Sequence, residues 1–409
     1  MSTINSSIKR LSGPESSGLG IVSLISLAHG TTHWVNATLY VLLPFIAIDL
    51  GLSYTEVGSL MTLFYVSTFL TNVASGPAVD LTGRHVVFML ASLLIGGSAL
   101  LVLWGASSPV LIGVTLILIG ISVSMWHPPS ISYLSRCYPK ARGFALSIHT
   151  VGASFGDVIA PPVAGLLMTA LTWSETALVS STPLFLMTIL VFWKLKEIDR
   201  PAGEAQGASL STRYIDGARL LLRDAQFLRL CIMAGLWSMS QNGTMFFIPL
   251  YLVGYMDASA AEVGLVMAAI QLGAMITGPF AGAWSDRVGR RPVVLLLLIV
   301  GAVTIAILPF VGTIVAFTVV ASFFGCAIYS IRPVMHSWTM DLAGAQTSGS
   351  AVSMVFAFQS AMTVSIPILG GIAADIWGIT VVFYIMTITC VGAAILVFSM
   401  PNIHAKKDV

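Results

Sequence analysis

Charge is what this chain of 409 residues has least of: Asp, Glu, Lys and Arg make up 9% of it, against 56% hydrophobic residues. An ordinary soluble domain carries roughly 25% of those four residues, so several water-facing domains are excluded. Basic residues barely outnumber acidic ones, 19 to 17, which excludes a nucleic-acid partner. Cysteine is scarce as well: Cys137, Cys231, Cys326 and Cys390 fall singly in or beside apolar segments. They offer no disulfide frame and no zinc spacing, so no metal ligand set is expected. Neither G-x-x-x-x-G-K-[ST] nor H-E-x-x-H occurs. With no nucleophile set or cofactor loop in view, an enzyme is not expected.

What the chain has in abundance is long apolar runs. A bilayer-spanning helix needs about 20 apolar residues. Breaking the chain at Gly, Pro, charge and polar clusters gives twelve segments, near 19–48, 54–76, 86–105, 109–135, 142–170, 173–194, 227–254, 260–283, 293–311, 313–340, 347–375 and 378–400. The first 18 residues are polar, and the long run after them lacks a small-residue cleavage site, so it is read as a retained first span. One long polar stretch, 195–226, reads as a cytoplasmic linker between residues 1–194 and 227–409.

Twelve spans place both termini and every even-to-odd connection on one face. Of the 19 basic residues, 18 fall there: Lys9, Arg10, Arg84, Arg136, Lys140, Arg142, Lys194, Lys196, Arg200, Arg213, Arg219, Arg223, Arg229, Arg287, Arg290, Arg291, Lys406 and Lys407. The excess of positive charge marks that face as cytoplasmic. The expected location is the inner (plasma) membrane, multi-pass, with both termini inside.

The halves repeat at an offset of 206 residues. Asn36 and Thr38 match Asn242 and Thr244, Ser53-x-x-Glu56-Val57-Gly58 matches Ser259-x-x-Glu262-Val263-Gly264, and Gly143, Ser147, Pro161 and Gly165 match Gly349, Ser353, Pro367 and Gly371. The offset spans six helices, so the copies share one orientation, a six-plus-six parallel repeat. The paired Ser-x-x-Glu segments are capping boxes opening the second and eighth spans.

Two further repeated stretches are more specific. Gly76-Pro77-Ala78-Val79-Asp80-Leu81-Thr82-Gly83-Arg84-His85 matches Gly282-Ala283-Trp284-Ser285-Asp286-Arg287-Val288-Gly289-Arg290-Arg291. Each reads as a tight helix-loop-helix turn with an aspartate and basic residues free to pair. This spacing, twice, after even-numbered spans, resembles the signature loop of the major facilitator superfamily. The first copy departs from the family pattern at Leu81 and His85. The resemblance implies an all-α membrane protein of twelve transmembrane helices in two pseudo-symmetric six-helix bundles, working by alternating access around a central site. It assigns gating to Gly76, Asp80, Gly83, Arg84, Gly282, Asp286, Arg287, Gly289, Arg290 and Arg291.

The fifth span carries Gly152-Ala153-Ser154-Phe155-Gly156-Asp157 and the pair Pro161-Pro162, small residues that allow close helix approach and prolines that bend. It resembles a degraded fifth-helix motif of proton-coupled drug exporters. Ser124-Met125-Trp126-His127-Pro128-Pro129 and Arg142-Gly143-x-Ala145-x-Ser147-Ile148 resemble the fosmidomycin-resistance branch.

Ionisable side chains inside the bilayer are costly and so are functional candidates. His29, His33 and Asn36 share one face of the first span at i, i+4 and i+7, and Tyr40 extends it. His127 and Arg332 each precede a proline and correspond within one residue under the repeat. With Trp126, Gln241 and His336 they are the expected substrate contacts; Asp157, His29 and His149 are the expected proton carriers. Trp34, Trp237, Trp338, Gln271 and Gln359 are weaker candidates. Two readings of Arg332 stand open: an anion-binding guanidinium, or a structural pair with Asp157.

Together these point to a proton-coupled secondary transporter that exports a small organic, anionic compound. Proton-coupled uptake of an organic anion is the alternative. No cofactor is expected, the proton gradient being the energy source. The expected partners are a small-molecule substrate, protons and the lipid bilayer, with the chain acting as a monomer.

Overall fold

The computed structural model describes residues 18–139, 141–197 and 221–401, with 18 and 344–350 described by backbone alone. The basic residues Lys9, Arg10, Lys140, Arg200, Arg213, Arg219, Lys406 and Lys407, and residues 198–220 of the expected linker, lie outside that set. Among the described residues every regular element is helical. The α-helices are α1 (Gly18–Asp49), α2 (Tyr54–Thr82), α3 (His85–Trp104), α4 (Pro109–Cys137), α5 (Arg142–Leu167), α6 (Trp173–Lys194), α7 (Ala225–Met256), α8 (Ala260–Val288), α9 (Arg290–Ile307), α10 (Ile314–Phe324), α11 (Ile331–Thr363), α12 (Ile366–Trp377) and α13 (Thr380–Phe398).

Two compact units emerge, Met1–Ile46 with Leu63–Ala205, and Ala47–Thr62 with Gln206–Val409. The short segment Ala47–Thr62, counted with the first half in the sequence, therefore groups with the second unit. There the Asp375 carboxylate accepts from the backbone N–H groups of Tyr54 and Thr55 at 3.0 and 2.8 Å. A carboxylate on the orphan donors of a helix start is favoured by hydrogen bonding and by the helix dipole.

Eleven helical spans among the described residues are long and apolar enough to cross a membrane. The expected seventh span is present as α7 but is not one of the eleven. Its Ser238-Met239-Ser240-Gln241-Asn242-Gly243-Thr244 stretch dilutes the apolar run, and the helix is buried along most of its length. A helix enclosed by its neighbours does not need the lipid-facing apolarity that defines an outer span.

Three loop expectations are corrected. The stretch 76–85 is helical through Thr82, and only Gly83 and Arg84 separate α2 from α3, with Gly83 at φ +69°. The stretch 282–291 is helical except for Gly289, at φ +96°. One glycine in the left-handed region reverses the chain where an L side chain would be strained, so no longer loop is needed. The connection expected at 341–346 also falls on helical backbone, within Ile331–Thr363.

The tenth span, expected as one run, contains a π-turn at Gly325–Tyr329 between α10 and α11. A Cβ on Gly325 would meet the Ile270 carbonyl oxygen at 2.1 Å, so α8 presses directly on this turn. A π-turn frees carbonyls from the regular ladder. Here Thr277 Oγ1 donates to the Cys326 carbonyl at 3.0 Å, and Trp237 Nε1 donates to the Ile328 carbonyl at 2.8 Å.

Both expected capping boxes form. Ser53 N–H donates to Glu56 at 2.8 Å while Glu56 N–H donates to Ser53 Oγ at 3.2 Å, and Ser259 with Glu262 repeats the pattern at 2.8 and 3.3 Å. A third, Thr172 with Glu175, opens α6.

Candidate functional site

The first unit's site begins with a seam of small residues. A Cβ on Gly152 would stand 2.0 Å from the Ser26 carbonyl oxygen, and one on Gly156 would stand 2.1 Å from that of Gly30. Ser26 and Gly30 are one turn apart on α1, as are Gly152 and Gly156 on α5, so the two backbones touch where side chains are absent. Flanking that seam, His29 and His33 of α1 face His149 and Asp157 of α5.

The contacts are specific. His29 Nδ1 lies 2.8 Å from the His149 carbonyl oxygen. A carbonyl only accepts, so Nδ1 carries the proton and donates, leaving the Nε2 lone pair free in the neutral ring. That Nε2 is buried and has no hydrogen-bond partner. The His29 and His149 rings stack at 3.9 Å between centroids. On the other side, Trp126 Nε1 donates to His149 Nε2 at 3.2 Å.

One turn further along α1, His33 Nδ1 lies 3.0 Å from Asp157 Oδ2, with both side chains about one-fifth exposed. His33 Nε2 is buried without a partner, as is Asn36 Oδ1. His127 completes the group from α4, its ring centroid 5.1 Å from that of His29 and 6.1 Å from that of His33. Of the residues expected at the site, the structure thus gathers His29, His33, His127, His149 and Asp157 around one point. Trp126 is fully buried, with its indole N–H donated to His149.

The second unit carries Arg332 and His336 one turn apart on α11, just after the π-turn, with Arg332 exposed and His336 half-buried against Phe356. Asp157 is held by His33 of its own unit, and among the described residues of the second unit no carboxylate pairs with Arg332. Gln241 on α7 is almost fully buried. Beside it, Asn242 Nδ2 donates to the Ser238 carbonyl at 2.9 Å, and Ser238 Oγ bonds Thr363 Oγ1 at 2.9 Å.

The α8–α9 turn is a charge cluster. The buried Arg290 guanidinium pairs with Asp286 and donates to Ser285 Oγ at 2.8 Å and to Asp341 Oδ2 at 2.9 Å. Arg291 donates to the Phe398 carbonyl at 2.6 Å and lies over the Phe398 ring. Arg287 and Arg84 are exposed. In the first unit's turn, His85 bonds Ser132 Oγ at 3.0 Å and the Gly83 carbonyl at 2.9 Å, filling a position where the repeat has Arg291. Asp341 and Asp375 escaped the sequence reading. The signal for Asp341 was its place at the expected cytoplasmic end of a span otherwise free of acids; Asp375 gave none.

Comparisons with known proteins agree with this architecture. The family model of the Major Facilitator Superfamily matches residues 25–259 and 230–408. The uncharacterized MFS-type transporter YfnC of Bacillus subtilis is 26% identical over 363 residues, covering 85% of this chain and 86% of that protein. The multidrug resistance protein MdtG of Salmonella typhi is 20% identical, covering 82% of each. A bicyclomycin resistance protein homolog of Haemophilus influenzae is 29% identical over 160 residues, 37% of this chain and 39% of that protein. Among solved structures, a bacterial homolog to the human lysosomal transporter Spinster, inward-facing and unoccupied, superposes with a TM-score of 0.80 at 14% identity, over 94% of this chain and 97% of that one. The nucleoside transporter NupG gives a TM-score of 0.78 at 14% identity, over 92% and 98%. With its helices, its repeated glycine turns and the family match over nearly its whole length, this chain belongs to the Major Facilitator Superfamily and is a multi-pass membrane transporter.

Proposed function

We propose that the transporter exports a small organic anion in exchange for protons, by alternating access. The observation that carries the substrate charge is Arg332, an exposed guanidinium just after a π-turn, with no carboxylate of its own unit in ion-pair distance among the described residues. A guanidinium is always protonated and offers a fork of donors matched to carboxylate, phosphate or phosphonate. His336, one turn away, adds a second donor. Export is supported by relatives named for bicyclomycin and multidrug resistance. For coupling, the support is Asp157, an acid inside α5 held 3.0 Å from His33 of α1, since an ionisable group within a membrane span is a candidate proton carrier.

Gating is assigned to the two glycine turns, and the buried Arg290 between Asp286 and Asp341 gives the second of them a contact that can be made or released. Both termini are assigned to the cytoplasm on the one-sided basic residues. Reporter fusions after 107 and 139 check this; external and cytoplasmic signals are expected, respectively.

The deciding experiment is transport of candidate anions in oriented inside-out vesicles under an imposed pH gradient. Export predicts that an inward-directed proton gradient in the cell's sense drives the anion out, and collapse of the gradient stops it. Movement down the proton gradient together with the anion would instead establish uptake.

A further inference from the structure

We propose that His29, His33 and His127 hold a divalent transition-metal ion of the zinc class. Their ligand nitrogens all lie within 4.8 Å of one another. Imidazole nitrogens on one tetrahedral ion, each about 2.0–2.1 Å from it, stand roughly 3.4 Å apart. The closure required is therefore about 1.5 Å at most, within the reach of small ring rotations.

The surroundings match what a metal site needs. A metal-bound histidine almost always donates its other ring N–H to a carbonyl or carboxylate, which fixes the tautomer and aims the lone pair. His29 does this to the His149 carbonyl and His33 to the Asp157 carboxylate. In both rings the remaining nitrogen is buried and has no partner. A buried acceptor without a donor is an energetic cost, and an ion between the rings would satisfy both at once. Three neutral nitrogen donors suit zinc, cobalt, nickel or copper rather than calcium or magnesium, which demand oxygen. Asp157 supplies one negative charge behind the ligands. The sequence hid the site because its ligands come from two helices, with His127 almost a hundred residues from His33.

The ion would fasten α1 to α4 within one unit, and the proposal is independent of the solute carried, which rests on Arg332. The test uses the full chain, purified without a polyhistidine tag, stripped with chelator and titrated with Co²⁺ at fixed pH. One Co²⁺ per chain is expected, with the visible absorption of a low-coordinate nitrogen site that added Zn²⁺ bleaches. His33→Ala and His127→Ala should each weaken binding at least tenfold. Asp157→Asn, which touches His33 and not the ion, should weaken it about 10- to 100-fold. Zn²⁺ should also raise the melting temperature of the parent, because an ion that binds only the folded state stabilises it. If a variant aggregates, the half-buried His127→Gln replaces it. Absence of the Co²⁺ band, or a band that survives both His33→Ala and His127→Ala in protein eluting like the parent, overturns the proposal and leaves the transport reading intact.

Discussion

The imidazole of His33 and the carboxylate of Asp157 are 124 residues apart in the chain and 3.0 Å apart in space. That pair gives the membrane-embedded acid of α5 a partner on α1. The two residues meet because α1 and α5 touch at Gly30, Gly152 and Gly156. Packing at the seam, polar contact beside it and the proposed coupling are thus three consequences of one helix crossing.

The seam is the first thing to test. Gly156→Ala places a Cβ 2.1 Å from backbone, which the neighbouring helix cannot avoid by a side-chain rotation. Overpacking of this kind costs about 1–3 kcal/mol, and the His33–Asp157 contact should loosen with it. Gly143→Ala, with nothing within 4 Å of its Cβ, should leave stability unchanged. Thermal denaturation in detergent compares the two; equal midpoints would refute the seam.

The apolar runs were legible because their length is fixed by membrane thickness, but several helix ends were not, since the helices run on through the expected connections at 76–85, 282–291 and 341–346. The capping boxes were legible because Ser-x-x-Glu is a local signal. Relations between helices were not. Gly152 and Gly156 hinted at a close approach, but nothing in the first span marked Gly30 as their partner. The π-turn left no trace in an apolar run, since hydropathy does not register which carbonyls have lost their donors. Asp341 could not be joined to Arg290 by spacing, because their contact depends on how α11 packs against α9.

At the second glycine turn the two acids holding Arg290 should be unequal. Asp286 is 58% exposed and Asp341 24% exposed, while the Arg290 side chain is 5% exposed. Solvent screens the exposed partner, so Asp286→Asn should cost about 1 kcal/mol or less. Asp341→Asn removes a better-shielded charged hydrogen bond and should cost about 1.5–3 kcal/mol. Melting of both variants beside the parent reads the order, and a larger loss for Asp286→Asn would contradict it.

Substrate charge is tested at Arg332. Arg332→Ala should weaken binding of an anionic ligand by tenfold or more. Arg332→Lys should also weaken it, because an ammonium cannot reproduce the two-pronged contact. Equilibrium binding to purified protein is the measurement. Tight binding of a cationic or neutral compound that is indifferent to Arg332→Lys would set the anion reading aside without touching the family assignment.

The central claim, that protons drive transport through Asp157, is met most directly by Asp157→Asn in proteoliposomes. The asparagine keeps the size and a polar contact to His33 but cannot take up or release a proton. The measurement is accumulation of substrate against its gradient under an imposed pH difference, beside exchange of labelled for unlabelled substrate with no gradient. Accumulation should vanish while exchange persists at near the parent rate; accumulation by Asp157→Asn equal to that of the parent would contradict the claim.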